Sequence, residues 1–306
     1  MAARGLWDVT ELVWITETEW GVTPTTGTWK PVGGFESFTP EPRPVLTEKG
    51  GLGSQTVTDQ QLVKLSGRFT IEHELKEKVT DPAFDWYNLL DTIVNKDGSG
   101  NPQNYPKHFS LGAKLDLATD EFWHLKGCTI EEYTVEGRSA DDTIRGRITG
   151  IAKQPIYGTT DYVSGSATRQ AEPSSDAIVF GEADVEVPDG SSILGELISW
   201  SLTLRRTLTL RGADSAEPTL YGSIVPSKRE YTLRIARDFR DKAEVENFIN
   251  ATERTAALEI PSASGGWNLA LTGGRWRAMT KTFRDLDLIG FSFEGRFSGL
   301  VVTAIT

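Results

Sequence analysis

The residues best suited to proton transfer or metal binding are three histidines, His73, His108 and His124, and one thiol, Cys128. Metal sites and general bases place such groups at short fixed spacings, because two ligands must share one helix face or one turn. None of the three histidines stands at such a spacing. His73 falls on the apolar side of an alternating stretch, where a satisfied core or interface histidine is expected. A single cysteine excludes an intramolecular disulfide and a cysteine-based zinc cluster. Gly50-Gly51-Leu52-Gly53-Ser54 has the glycines of a phosphate cradle but neither the following helix nor the Lys-Ser/Thr pair that grips phosphates, and it reads as an exposed loop. Glu131-Glu132 interrupts a strand pattern, which predicts a bulge in preference to an acid–base pair. Asp141-Asp142 marks a solvated turn or a weak surface cation site. Asn250-Ala251-Thr252 fits a glycosylation sequon, which has meaning only in a secreted chain, and the N-terminus shows no apolar run of signal length. No nucleophile elbow is present. The expectation is a protein that is no enzyme and needs no cofactor or metal.

The elements that would position these groups are mostly strands. From Ile198 to Arg211 one face carries Ile198, Trp200, Leu202, Leu204, Leu208 and Leu210, and the other carries Ser201, Thr203, Arg205, Thr207, Thr209 and Arg211. That alternation is far longer than an ordinary strand, so it bends or pairs beyond its own domain. Two helices interrupt the pattern. Asp81-Pro82 caps the first, whose stripe is Ala83, Trp86, Tyr87, Leu90, Ile93 and Val94. The second starts at Asp241 with Glu244 three residues on, and its stripe is Val245, Phe248 and Ile249.

These helices reveal an internal repeat. Phe69-Thr70-Ile71 precedes the first helix and Tyr231-Thr232-Leu233 the second. Leu125-Lys126-Gly127-Cys128 then matches Leu271-Thr272-Gly273-Gly274, and Gly146–Gly150 matches Gly295–Gly299. Gly34–Thr39 resembles Leu197–Leu202 in pattern only. Four matches in one order predict a duplicated domain: residues 1–157, a linker or extended loop over 158–190, and residues 191–306. Thr159–Asp176, rich in Ser, Thr, Gly and Pro, suits a linker; a long loop inside one domain is the other reading.

The chain has 306 residues and a formal charge of −11, which argues against a protein that holds nucleic acid by neutralising phosphates. No stretch approaches the ~20 apolar residues of a membrane span. Residues 1–155 carry a net −7, residues 156–199 another −7, and residues 200–306 a net +3. The second half gathers Arg205, Arg206, Arg211, Lys228, Arg229, Arg234, Arg237 and Arg240. Two readings stand: an ordinary solvated face, or a charge-complementary contact between unlike halves that fixes their order, with Arg205, Arg206, Arg211, Arg234 and Arg237 as its candidates.

With these features in hand, the chain resembles the tail tube proteins of long-tailed, siphovirus-like bacteriophages and related viruses. The resemblance rests on Glu17-Thr18-Glu19-Trp20-Gly21-Val22-Thr23-Pro24 followed by Trp29-Lys30-Pro31, on Glu36–Pro40 and Thr47–Gly51, and on Leu65–Ile71 ahead of the single helix. It covers the first half directly and the second through the repeat.

That resemblance implies a mainly β fold: two tandem β-sandwich or barrel domains, each with one flanking helix. It also implies three chains forming a pseudo-hexameric ring, and rings stacking into a virion tail tube that conducts DNA. The partners would be further copies, a tape measure protein in the lumen, a tail terminator, tail-tip or baseplate proteins, and DNA in transit without specific binding. Synthesis would be in the host cytoplasm. A loop from about Glu41 to Gln61, centred on Thr47, Glu48, Lys49, Gly50, Gly51, Leu52 and Ser54, would bridge rings, with Arg211–Pro226 as its second-half counterpart. A conduit must not hold its cargo. Lumen-facing positions are therefore expected to be Asp, Glu, Ser and Thr, with the arginines turned toward partners. The alternatives are a tube or baseplate component of a contractile tail or secretion system, and a ligand-binding β-sandwich.

Overall fold

The computed structural model describes residues 9–49, 59–76, 86–117, 119–139, 143–172, 176–188, 190–193, 197–238, 243–260, 266–283 and 289–305. The strands of the first half are β1 (Val9–Thr16), β2 (Thr28–Pro31), β3 (Phe35–Lys49), β4 (Asp59–Glu74), β5 (Phe109–Leu115), β6 (Glu121–Arg138), β7 (Arg145–Ala152) and β8 (Gln154–Gly158), with α1 (Trp86–Val94) after β4. Then come β9 (Thr168–Arg169), a single 3₁₀ turn and β10 (Asp184–Glu186). The second half runs β11 (Leu197–Arg211), β12 (Ser223–Asp238), α2 (Ala243–Ile249), β13 (Arg254–Ile260), β14 (Gly266–Phe283), β15 (Ile289–Phe297) and β16 (Gly299–Ile305). The expectation of a mainly β chain with two helices holds.

Pairing follows one plan twice. In the first half β3 pairs β4, β4 pairs β7, β7 pairs β6, and β6 also pairs β5 and β8. In the second, β11 pairs β12, β12 pairs β15, β15 pairs β14, and β14 also pairs β13 and β16. β1 lies on β5 as β10 lies on β13. The irregularities coincide as well. The Phe35/Ser37 register shift matches Leu197/Ser199, and Ile130/Glu132 matches Trp276/Ala278. The bulge expected at Glu131-Glu132 is therefore present.

β6 and β14 are long because each serves two layers. Both turn where a glycine takes positive φ, Gly127 at 64° and Gly273 at 63°. A side chain is strained there, and at Gly127 a Cβ would also lie 2.8 Å from the Trp20 indole nitrogen. α1 packs on β6 and α2 on β14.

The two halves share one sheet. Its strand order is β3–β4–β7–β6–β11–β12–β15–β14, with the halves joined where β6 pairs β11. One face builds the core: Phe69, Ile71, Tyr133, Val135, Ile148, Trp200, Leu202, Leu204, Leu233, Ile235 and Phe293 are all buried. Each large side chain so buried contributes roughly 1.5–3 kcal/mol against its entropy cost. Leu90, Ile93 and Val94 of α1 join that core, and Val245 and Phe248 of α2 pack against it.

Three expectations need correction. Ile249 is 71% exposed, because the short α2 turns it off the packing stripe. The repeat is offset from its apparent alignment: the bulges equate Ile71 with Ile235 and Gly150 with Gly295. Shifts of two or four residues leave every side chain on its face, so periodicity alone could not detect them. The segment expected to link the halves is threaded through them. Tyr162 is buried against Trp29, β9 pairs β2, and Ile178, Ala183, Val185 and Val187 enter the core.

Candidate assembly surfaces

Alternation leaves the other face of the shared sheet polar. A groove of about 510 Å³ lies on its first-half part, over β3, β4, β7 and β6, lined by Glu36, Glu72, Glu132, Glu136, Thr134 and Thr149 with Arg145 and Arg147. Carboxylates outnumber guanidiniums, so the groove attracts no polyanion. The arginines of the second half were expected to point elsewhere, and two do not. Arg205 shares a face with Ser201 and Thr203 and lies 3.7 Å from Glu132; Arg234 lies 2.8 Å from Glu294. Their charge is met locally by glutamate.

The β6–β11 junction is where unlike halves touch. Seven register pairs run from Ser199↔Arg138 to Arg205↔Glu132. The Thr134 and Thr203 hydroxyls are 3.0 Å apart. Opposite Trp200 stands Gly137, where a Cβ would fall 2.9 Å from the indole. The Arg205–Glu132 pair spans this junction within one chain.

Arg206 behaves differently. It falls among the leucines of β11, is 1% exposed, and pairs with no carboxylate among the described residues. Its Nη2 donates to the Gln103 carbonyl at 2.9 Å and its Nη1 to Asn104 at 3.3 Å, while Arg229 Nη1 donates to Pro102 at 2.7 Å. Burial first, then the Arg229 charge, holds Arg206 at about 10. Two second-half arginines thus clamp the α1–β5 connection of the first half by its carbonyls. Arg206 was singled out for its charge; its position in the leucine face was the signal for burial. Arg229 stood in the basic cluster without a role, and its place opposite Arg206 was invisible before the register was known.

The tip of the β11–β12 hairpin is also held. Leu65 N donates to the Thr219 carbonyl at 2.8 Å, and Lys64 Nζ to Pro218 and Leu220 at 2.7 and 3.0 Å. Lys153 Nζ donates to Asp214 Oδ2 at 2.6 Å. That bond, with the amides of Ala216 and Glu217, holds the Asp214 carboxyl at about 2. Lys153 itself lies over the Trp20 ring. Here the N-terminal motif finds its purpose. Glu17 accepts from Gly21 N at 2.8 Å, Gly127 N at 2.9 Å and Ser110 at 2.6 Å, and Trp20 Nε1 donates to the Gly127 carbonyl at 2.8 Å. The acid–aromatic–glycine stretch is a clasp on the β6 turn.

The β3–β4 hairpin is built alike and left open. Among the described residues β3 pairs only β4. Most of the stretch expected as a loop, Glu41 to Gln61, is strand: Thr47, Glu48 and Lys49 pair with Gln61, Gln60 and Asp59. Gly50, Gly51, Leu52 and Ser54 lie outside the described residues. Val45, Leu46, Leu62 and Val63 form an exposed apolar patch near this tip. Of the remaining candidates, Arg211 is exposed at the end of β11, and Arg237 is half-buried opposite Leu197 and Phe291.

The histidines take structural roles. His73 is buried, with Nε2 3.2 Å from the Tyr133 hydroxyl and Nδ1 3.2 Å from the Glu74 carbonyl. Burial lowers it to about 4. Among the described residues no cluster of three metal-ligating side chains occurs, and no helix is long and apolar enough to cross a membrane.

A shared sheet whose two outer edges are unpaired among the described residues, a polar groove and exposed apolar side chains on the β3–β4 hairpin make the surface plan of a β-structured assembly protein. The chain belongs to the phage tail tube protein family, whose model matches residues 7–296. It is thereby a structural component of the virion tail. No curated protein matches it.

Proposed function

We propose that the two similarly paired halves are tandem tube domains and that three chains form a pseudo-hexameric ring. The observation that carries this reading is the shared sheet of eight strands, whose outer edges, along β3 and along Arg275–Phe283 of β14, have no strand partner among the described residues. An exposed edge recruits another strand unless something covers it, and ring closure removes both edges at once. Three copies of the eight-strand sheet make a wall of 24 strands. Porins of 16–18 strands already enclose water, so this wall would enclose a wide lumen. Its lining would be the polar groove face, whose glutamates and paired arginines offer DNA few counterion-releasing contacts.

Rings stack, in this reading, through the β3–β4 hairpin, whose exposed Val45, Leu46, Leu62 and Val63 suit burial against a neighbour. Residues Thr47 to Ser54 are the proposed inter-ring contact. The other partners are the tape measure protein, a tail terminator and tail-tip proteins, and the role is structural, with no catalysis.

Mass measurement and negative-stain microscopy of the purified protein test this. The expected result is a three-chain ring with sixfold appearance, and tubes built from it. Deleting Lys49–Ser54 should leave rings that do not stack. Rings of six chains, or normal tubes from the deletion, would contradict the proposal.

A further inference from the structure

We propose that copies of this chain join head to tail through a one-directional seam, in which the β14 edge of one copy donates backbone hydrogen bonds to a proline-guarded β3 edge of the next. The guard restrains spontaneous growth. This rests on the ring reading and adds the register and chemistry of its joint.

The internal junction supplies the template. Aligning the halves by their bulges places β14 where β6 stands and β3 where β11 stands. The β6–β11 pairs Val135↔Leu202, Tyr133↔Leu204 and Gly137↔Trp200 then become Lys281↔Pro40, Met279↔Pro42 and Phe283↔Phe38 between copies. Ser201↔Glu136 becomes Thr39↔Thr282.

The prolines fix the direction. Pro40, Pro42 and Pro44 alternate along β3 opposite Phe69, Gly67 and Leu65. Proline has no N–H, so the ladder to β4 is carried by Thr39, Glu41 and Arg43. In an antiparallel strand the N–H and C=O of one residue point to the same side. The three prolines therefore turn bare carbonyls to the open edge, as proline in an edge strand does. Such an edge cannot pair with its own copy, because neither side supplies donors. It can accept from Met279 and Lys281, which keep their N–H groups. An isologous β3–β3 dimer is thus excluded, and the heterologous contact that remains is the kind that closes rings.

The same comparison makes the seam weaker than the junction. The Arg205–Glu132 pair maps onto Arg43 and Ala278, which form none; Arg43 instead lies 3.1 Å from Glu41 of its own strand. Two donors of the junction, the Leu202 and Leu204 amides, are replaced by Pro40 and Pro42 in β3. Fewer backbone hydrogen bonds make a weaker joint, so assembly should need a high local concentration or a preformed template.

Sedimentation of assembled from free protein reads this directly. The triple variant P40T/P42T/P44T should assemble at a concentration at least tenfold lower than the natural sequence; an equal or higher threshold overturns the guard. Lys281→Pro should stay folded by circular dichroism, since its N–H faces the open edge, and make no rings; rings from it overturn the seam. T39C/T282C should form disulfides between copies in assembled material, and T39C/A278C should not. If the natural chain forms rings but T39C/T282C fails to cross-link, the seam is wrong and the ring reading stands. If no rings form at any concentration, both fall.

Discussion

The β11–β12 and β3–β4 hairpins are the same device in two states of completion. Both are long, both begin with a bulge one residue into the strand, and both feed a short helix. The first is finished inside the chain: β6 covers its edge, Arg206 and Arg229 clamp its flank, and Lys64 and Lys153 hold its tip. The second has an edge that carries three prolines and no partner strand among the described residues, with Val45, Leu46, Leu62 and Val63 exposed along it. A completed joint thus contains a covering strand, a carbonyl clamp and a held tip, and the open one lacks these until a partner supplies them.

The largest effect expected within one chain sits on the finished side. Arg206→Ala leaves the Gln103 and Asn104 carbonyls without their buried donor and should cost about 3 kcal/mol in urea unfolding. Pro44→Ala, at the matching position of the open hairpin, should change monomer stability by no more than about 0.5 kcal/mol. Equal costs would erase the contrast between a used and an unused surface.

Acid should separate the halves next. All three histidines lie in the first half, and burial lowers His73 and His124 to about 4. The unfolded chain then takes up protons near 6.5 while the native fold resists. Stability is fully present above pH 6.5, falls between 6.5 and about 4, and falls no further on this account below that. For His73 alone the loss is about 3 kcal/mol. Hydrogen exchange at pH 5 should rise in β4–β7 before β12–β15, and uniform loosening would contradict the assignment.

The smallest effect belongs to the tip. Asp214 is held at about 2 by Lys153 and two amides, so its contribution is present above about pH 4 and fades as pH drops through 2. Asp214→Asn should raise exchange in residues 212–222 and lower the melting temperature less than Arg206→Ala does, because Lys153 keeps its contacts to the Trp20 carbonyl and ring. A large drop in melting temperature would show that the tip carries the joint.

Much of this plan was legible in the chain itself. The alternation of Trp200, Leu202 and Leu204 predicted β11, the break at Glu131-Glu132 predicted a bulge, and the Gly127 and Gly273 turns marked the repeat. The register was not legible, because a period of two is blind to shifts of two. By pattern alone Ile71 aligns with Leu233, where the register places Ile235, and Gly295 aligns with Gly146, where the register places Gly150. The clamp escaped notice for a related reason. Arg206 reaches carbonyls of Gln103 and Asn104, and carbonyls carry no sequence signature. Three alternating prolines in β3 were in plain view, yet their meaning required knowing which strand lay beside them.

The central claim is that an open edge on one copy is completed by the other edge of the next. A cryo-electron microscopy reconstruction of assembled protein, at a resolution that separates strands, tests it most directly. The expected map has β14 of each chain beside β3 of its neighbour, with Lys281 opposite Pro40 and an unbroken sheet around the lumen. A wall interrupted between chains, or β3 beside β3, would contradict it.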